Sequence, residues 1–281
     1  MKVLLFGGDA RQVSAAEYLG KRGIDVSIYA ISGDVLDKYG GAKYRSGSYK
    51  GYDAIIFPLP FSVDGIYINC PYSKDKYRIE DVFKTLDIKT KVFAGMTNSF
   101  CRSLAKELKL ELTDYYDVDE LQIRNAVPTA EGAIWTFMNH KEITVQSSNI
   151  VVAGCGKVGK SLALRLKALG ANVTVTARSR TDLAWAEGEM MNSEPLADFT
   201  EKACSCDCIF NTIPHNVFTD GFVNEMSFET LYIELASKPY GMSSDNSKRL
   251  GNRCVFAPSL PGKTAPVTAG RIIGNTIYKY L

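Results

Sequence analysis

One stretch constrains this chain more than any other. In Asn149-Ile-Val-Val-Ala-Gly-Cys-Gly-Lys-Val-Gly159 an apolar run enters a G-x-G-x-x-G turn and leaves it as a helix. Gly154 permits the tight turn, Gly156 lets bare backbone approach a pyrophosphate, and Gly159 lets the helix sit close on the sheet. Phosphates then meet free N–H groups and the positive end of a helix dipole, with Lys157 and Val158 in the first turn. The helix carries Val158, Leu162, Leu166 and Leu169 on one face and stops at Gly170. A second strand, Ala171–Thr176, completes a βαβ unit. The spacing predicts a bound dinucleotide; the bland alternative is a glycine turn that only shapes a sheet.

The end of that second strand bears on which dinucleotide. An NAD-selecting site presents Asp or Glu there for the ribose 2′-OH. This chain reads Ala177-Arg178-Ser179-Arg180. A guanidinium forms charge-assisted bonds to a 2′-phosphate that a carboxylate would repel. Arg178, Ser179 and Arg180 therefore favour NADP, with NAD the alternative if the segment is only a solvated basic loop.

At 281 residues, 46% hydrophobic and 23% charged, the chain has enough apolar material for two ordinary cores. A net charge of +2 without basic blocks gives no nucleic-acid surface. No apolar run reaches the ~18–20 residues of a membrane span, and Met1-Lys2 leads directly into a strand with no leader pattern. Seven cysteines outside any disulfide spacing fit a reducing cytoplasm. Cys204, Cys206 and Cys208 alternate into an apolar strand without a C-x-x-C pair or nearby histidine, so buried thiols are expected and no metal site.

The fold class expected is α/β, two Rossmann-like doubly wound parallel-sheet domains with an interdomain cleft. In the first half, strands are expected at Val3–Phe6, Ile24–Tyr29, Ala54–Pro58 and Val92–Gly95, with Val13, Ala16 and Leu19 facing inward from the first helix. Gly7-Gly-Asp-Ala-Arg-Gln12 lacks a third glycine, so it is no second dinucleotide turn. Asp9, Arg11 and Gln12 stand at a helix start suited to a small anion, or merely cap a turn. Six strands are expected in the second half, at residues 149–153 and 171–176, then Asn192–Leu196, Cys208–Thr212, Leu231–Leu235 and Cys254–Ala257. Residues 129–138 read as a helix begun by Pro128 and capped by Thr129. A last helix, Thr268–Tyr280, carries Ile272, Ile273 and Ile277, with Gly270 and Gly274 open to a close neighbour. It is expected to return to the first domain and pair with the 130–139 helix, making a hinge. The boundaries expected are 1–128 with 266–281, a connecting helix and linker at 129–146, and 147–265.

Several stretches together carry a resemblance. They are Gly7–Gln12, Val127–Ile134, Asn211-Thr-Ile-Pro214, Glu234-Leu-Ala-Ser-Lys-Pro-Tyr-Gly241, and Ala257–Gly262 with Thr268-Ala-Gly270. In this order the chain resembles, end to end, the A subunits of dipicolinate synthase. That resemblance implies NADP-linked oxidation of 2,3-dihydrodipicolinate to dipicolinate, on a branch of lysine biosynthesis. It also implies the flavoprotein-like B subunit of that enzyme as partner and the mother-cell cytoplasm of a sporulating bacterium; self-association is left open. Glu234 stands where Asp is usual in the family, and Tyr240 where Gly is usual.

For such a diacid the expected carboxylate contacts are Arg11, with Asn98, Ser99, Thr129 and Lys238 as donors. Asn211, Thr212 and Pro214, at a strand end, are expected beside the cofactor. Two groups are candidate catalytic bases: Glu131, otherwise the acid of a helix N-terminus, and His215, otherwise a structural strand-end residue. Two other functions share this layout. One is an alanine- or hydroxyacid-dehydrogenase-like enzyme, and the other a non-catalytic nucleotide-binding component of a complex.

Overall fold

Strand β1, Lys2–Phe6, sends Val3 and Leu5 into one hydrophobic core and Leu4 and Phe6 into another. Successive side chains of a strand point to opposite faces, so a run apolar at every position demands cover on both sides. The cover comes from the helices between the strands. In chain order these are α1 (Ala10–Gly20), β2 (Asp25–Tyr29), α2 (Gly33–Lys38), β3 (Ala54–Ile56), α3 (Ile79–Phe83), β4 (Lys91–Ala94), α4 (Ser99–Glu107) and β5 (Glu111–Asp114). The sheet is parallel with order β2-β1-β3-β4-β5, and Leu5 is in register with Ile28 and Ile56. Strand β5 was not foreseen from the sequence. It is an edge strand whose positions are mostly half-exposed, so Glu111-Leu-Thr-Asp114 carries no apolar run.

The computed structural model describes residues 1–199 and 205–281, and the chain divides into two units, Met1–Asn125 with Thr264–Leu281, and Ala126–Lys263. Helix α5, Asp119–His140, runs through that division. It starts ten residues before the expected Thr129, and Pro128 lies inside it. Proline lacks a donor and costs an interior turn of helix. The cost is met by burial at either side: Leu121 enters a core of the first unit, and Ala130, Ala133, Ile134 and Phe137 enter a core of the second.

The second unit continues with β6 (Asn149–Ala153), α6 (Lys157–Ala168), β7 (Asn172–Ala177), α7 (Arg180–Gly188), β8 (Asn192–Pro195), β9 (Cys208–Asn211), α8 (Asp220–Glu225), β10 (Leu231–Glu234), α9 (Ser244–Leu250) and β11 (Cys254–Phe256). All six strands pair in parallel in the order β11-β10-β9-β6-β7-β8, the doubly wound arrangement of a Rossmann sheet. Ile150, Val152, Cys208 and Phe210 face one core, and Val151, Ala153 and Ile209 the other. Cys206 and Cys208 are buried, while Cys204 lies outside the described residues. Leu169, expected on the inner face of α6, is instead half-exposed. Among the described residues no helix is long and apolar enough to cross a membrane.

After α10 (Leu260–Thr264), α11 (Pro266–Tyr278) returns to the first unit. Its neighbour there is α1 rather than the 130–139 segment. Ile273 and Ile277 join the same core as Val13, Ala16 and Leu19. A Cβ on Gly270 would lie 2.2 Å from the Arg11 carbonyl oxygen, and one on Gly274 3.1 Å from Tyr18. The small residues therefore let the two helices touch backbone to side chain, and the Tyr18 hydroxyl donates to Asn275 at 2.6 Å. Gly270→Leu is expected to force α11 off α1 and destabilise the protein by about 3 kcal/mol. Urea unfolding of the two proteins measures the difference.

Candidate functional site

In each sheet the strand order reverses at one point, where loops diverge and leave a crevice. In the second unit that point lies between β6 and β9, and a cavity of about 590 Å³ opens there. Three loops line it: Gly154–Gly156, Ala177–Ser179 with Asp182, and Thr212–Pro214. The glycines have distinct reasons. Gly154 has φ +98°, and a Cβ there would lie 2.3 Å from the Thr212 hydroxyl. A Cβ on Gly159 would lie 2.1 Å from the Gly154 carbonyl oxygen, so α6 cannot sit this close with any side chain there. Gly156 caps α6 with no side chain, and a Cβ built on it meets nothing within 4 Å. The start of α6 is thus uncrowded at Gly156 and has no acidic residue in its first turn, a fit for a pyrophosphate.

Arg178 and Ser179 line the groove, and Ala177 ends β7 without a carboxylate. The Ser179 hydroxyl is engaged, accepting from the Asp182 amide as the cap of α7. Arg180 stands exposed on the first turn of α7. Lys157 and Val158 open α6, the first exposed and the second half-buried. Burial pushes the Cys155 thiol up to about 11, so it stays protonated and donates to the Asp182 carbonyl.

On the far wall, Thr212 donates to the Ala153 carbonyl at 2.8 Å, and Pro214 faces solvent. Asn211, expected beside the cofactor, is not among the residues that line the groove. It is fully buried, its amide donates to Ile213 O and Glu234 Oε1, and its oxygen accepts from Ile213 N. Asn211 shapes the wall by closing a turn on itself.

Glu234 is the anchor of that wall. It is 2% exposed and accepts from Asn211 at 2.7 Å, the Tyr232 hydroxyl at 2.8 Å, and the amides of Ala236 and Gly241 at 3.0 and 2.8 Å. Burial pushes its carboxyl up, and the Gly241, Tyr232 and Asn211 donors pull it back. The loop it holds has a cis Lys238–Pro239 bond, presents an exposed Lys238, and sets Tyr240 at φ +70°. Tyr240 thus holds the left-handed region that glycine enters most easily.

Other expected residues are placed differently. Thr129 and Glu131 lie within α5, not at its start, so Glu131 is no helix-terminal acid. Glu131 is exposed and pairs with Arg165 at 3.7 Å. His215 is exposed beside Pro214, its Nδ1 3.0 Å from the Pro214 carbonyl oxygen.

In the first unit the order reverses between β1 and β3, where Asp9, Arg11 and Gln12 stand. The expected anion place at α1 is already filled. Asp9 caps the helix, accepting from the Arg11 amide at 3.0 Å, and its carboxylate takes the Arg11 guanidinium through Nε and Nη2. Arg11 Nη2 also donates to the Leu59 carbonyl, which leaves Nη1 as its open donor among the described residues. Gln12 is buried, donating to Ile56 O, with its Oε1 unpartnered. Beyond β4, Asn98 caps α4 by accepting from Cys101 N, and Ser99 is exposed on its first turn. Sequence reading missed Asp114, which holds this loop by accepting from the Met96 and Thr97 amides and from Arg102. Its sign was an acid closing an unrecognised strand.

Glu234→Gln is expected to cost about 2–3 kcal/mol, because whichever way the amide turns its NH2 group faces a buried donor. Thermal unfolding, checked against an unchanged far-ultraviolet spectrum, tests this.

Known proteins resemble this chain in both sequence and fold. Residues 2–116 match the family model for the N-terminal domain of the dipicolinate synthase A subunit. Residues 122–233 match the NAD binding domain of D-isomer specific 2-hydroxyacid dehydrogenases. The dipicolinate synthase A subunit of Bacillus subtilis is 30% identical, with 100% of this chain and 96% of that protein covered. The crystal structure of the corresponding A subunit from Bacillus halodurans superposes with a TM-score of 0.88 at 29% identity, covering 99% of this chain and 97% of that one. A transhydrogenase structure from Sinorhizobium meliloti shares the fold alone, with a TM-score of 0.70 at 14% identity over 99% of this chain and 92% of that one. The chain belongs to the family of dipicolinate synthase A subunits, and its second half is a nicotinamide-dinucleotide-binding domain of the dehydrogenase type.

Proposed function

We propose that this chain is the NADP-linked dehydrogenase that oxidises 2,3-dihydrodipicolinate to dipicolinate. It works with a flavoprotein-like B subunit in the mother-cell cytoplasm of a sporulating bacterium. The observation that carries the cofactor half is the groove itself: a bare glycine cradle at one end, and at the other a β7 that ends in Ala177 followed by Arg178. Family membership supports the substrate half.

When bound, the nicotinamide supplies a two-electron hydride acceptor. The chain's own residues position and discharge. Gly156 and the first amides of α6 take the pyrophosphate, and Arg178 takes the 2′-phosphate with Arg180 near it in sequence. Thr212 and Pro214 form the wall at the nicotinamide end. The substrate leaves as an aromatic ring, so the ring itself supplies much of the driving force and the protein's work is orientation. The open Arg11 Nη1, the Asn98 amide and the Ser99 hydroxyl are the carboxylate donors proposed in the first unit, and Lys238 and Thr129 those proposed in the second. His215, next to Pro214 in sequence, is one acceptor proposed for the departing proton. Glu131, paired with Arg165, is the other.

One observation favours a second reading, a nucleotide-binding component whose redox step lies on the partner: Arg11, the main carboxylate ligand proposed, already has a carboxylate in Asp9. The reduced-nicotinamide absorbance band separates the two, read for the purified chain alone and then with the B subunit. Reduction of NADP is expected with dihydrodipicolinate and not with alanine or lactate. Turnover of alanine or lactate without dihydrodipicolinate would overturn the reading. Replacing Arg178 and Arg180 together with Ala is expected to weaken NADP binding about tenfold or more and NAD binding much less, by titration calorimetry.

A further inference from the structure

The groove has a carboxylate that the cofactor reading leaves unexplained. Among its lining residues Asp182 is the one acid, and it stands in the first turn of α7, on the side where a bound coenzyme's adenosine ribose would lie, at the end of β7. Asp182 cannot easily withdraw. Its amide is fixed by the Ser179 hydroxyl and carbonyl, and its own carbonyl receives the Cys155 thiol. Its side chain is a third exposed, so the charge meets the groove.

Facing it is Lys160, from the second turn of α6. The ammonium lies 3.1 Å from Asp182 Oδ1 and 5.1 Å from the centre of the Trp185 ring. Lysine is a flexible point charge, whereas Asp182 is bound at both ends of its main chain, so one partner is mobile and the other fixed. Together with Arg178 the rim carries two cations and this acid.

We propose that Asp182 is a specificity-determining residue of the nucleotide groove, a fixed carboxylate that disfavours a 2′-phosphate, and that Lys160 masks it, so that the pair sets how strongly the chain prefers the phosphorylated coenzyme. This rests on the groove being a nicotinamide-dinucleotide site and is independent of which coenzyme the natural chain prefers. A 2′-hydroxyl is neutral and can donate to Asp182, while a 2′-phosphate is repelled by it, a repulsion that Lys160 offsets by pairing with the acid. Removing each charge must therefore move the two coenzymes apart, in opposite directions.

The test is calorimetric titration of the full chain and of Asp182→Asn, Lys160→Met and the double variant with NAD and NADP, with unfolding temperatures confirming that each variant is folded. The ratio of NADP to NAD affinity is expected to rise about tenfold in Asp182→Asn and fall about tenfold in Lys160→Met, with the double variant close to Asp182→Asn. Both shifts are expected to shrink in high salt, since the groove is open to solvent. Ratios within twofold of the natural chain in both single variants, or equal movement of both coenzymes, would overturn the proposal while leaving the cofactor reading intact. A natural chain that prefers NAD, with the ratios still moving as described, would overturn the NADP reading alone. No binding of either coenzyme to any variant would overturn both.

Discussion

The approach of α6 to the β6 turn is the contact on which the nucleotide site depends. A side chain at residue 159 would overlap the Gly154 carbonyl, and one at 154 would overlap the Thr212 hydroxyl. The β6 turn, the start of α6 and the distant end of β9 therefore meet at distances that only glycine permits. That closeness seats the start of α6 beside the groove and brings the end of β9 into its wall. Packing and binding are here one constraint: what seats the helix also shapes the cradle.

A second layer holds the opposite wall. Asn211 and Glu234 do not face the groove, yet between them they bind the turn 211–213 and both ends of the 235–241 loop. Burying a carboxylate is unfavourable unless its oxygens are satisfied, and four donors satisfy this one. Gly241 completes the arrangement, since a Cβ there would lie 2.3 Å from the Asn211 amide nitrogen. This network gives Glu234 a definite structural role.

Much of the fold was legible because its signals are periodic or steric. The apolar strands, the glycine turn and the six-strand second sheet follow from side chains that must be buried on both faces, and even the weak Asn192–Pro195 strand fell where expected. What escaped notice depended on partners. Strand β5 has too little apolar surface to announce itself, and Pro128 reads as a helix start until two cores are seen to hold the helix on either side of it. Ser179 looked like a phosphate ligand, but Asp182 three residues later makes it a helix cap. Arg11 looked free for a substrate, though its partner Asp9 lies only two residues away. Spacing tells which side chains can meet; it does not tell which have already found each other.

The return of α11 to α1 also bears on how the chain is made. The first unit opens with its interior strand β1, yet the core beneath α1 is closed by Ile273 and Ile277. On a ribosome, which releases a chain from its beginning at a limited pace, that core waits with an uncovered face until the opposite end of this sequence has emerged. The nucleotide-binding unit, uninterrupted between Ala126 and Lys263, has no such wait and can ripen first, although it is synthesised second.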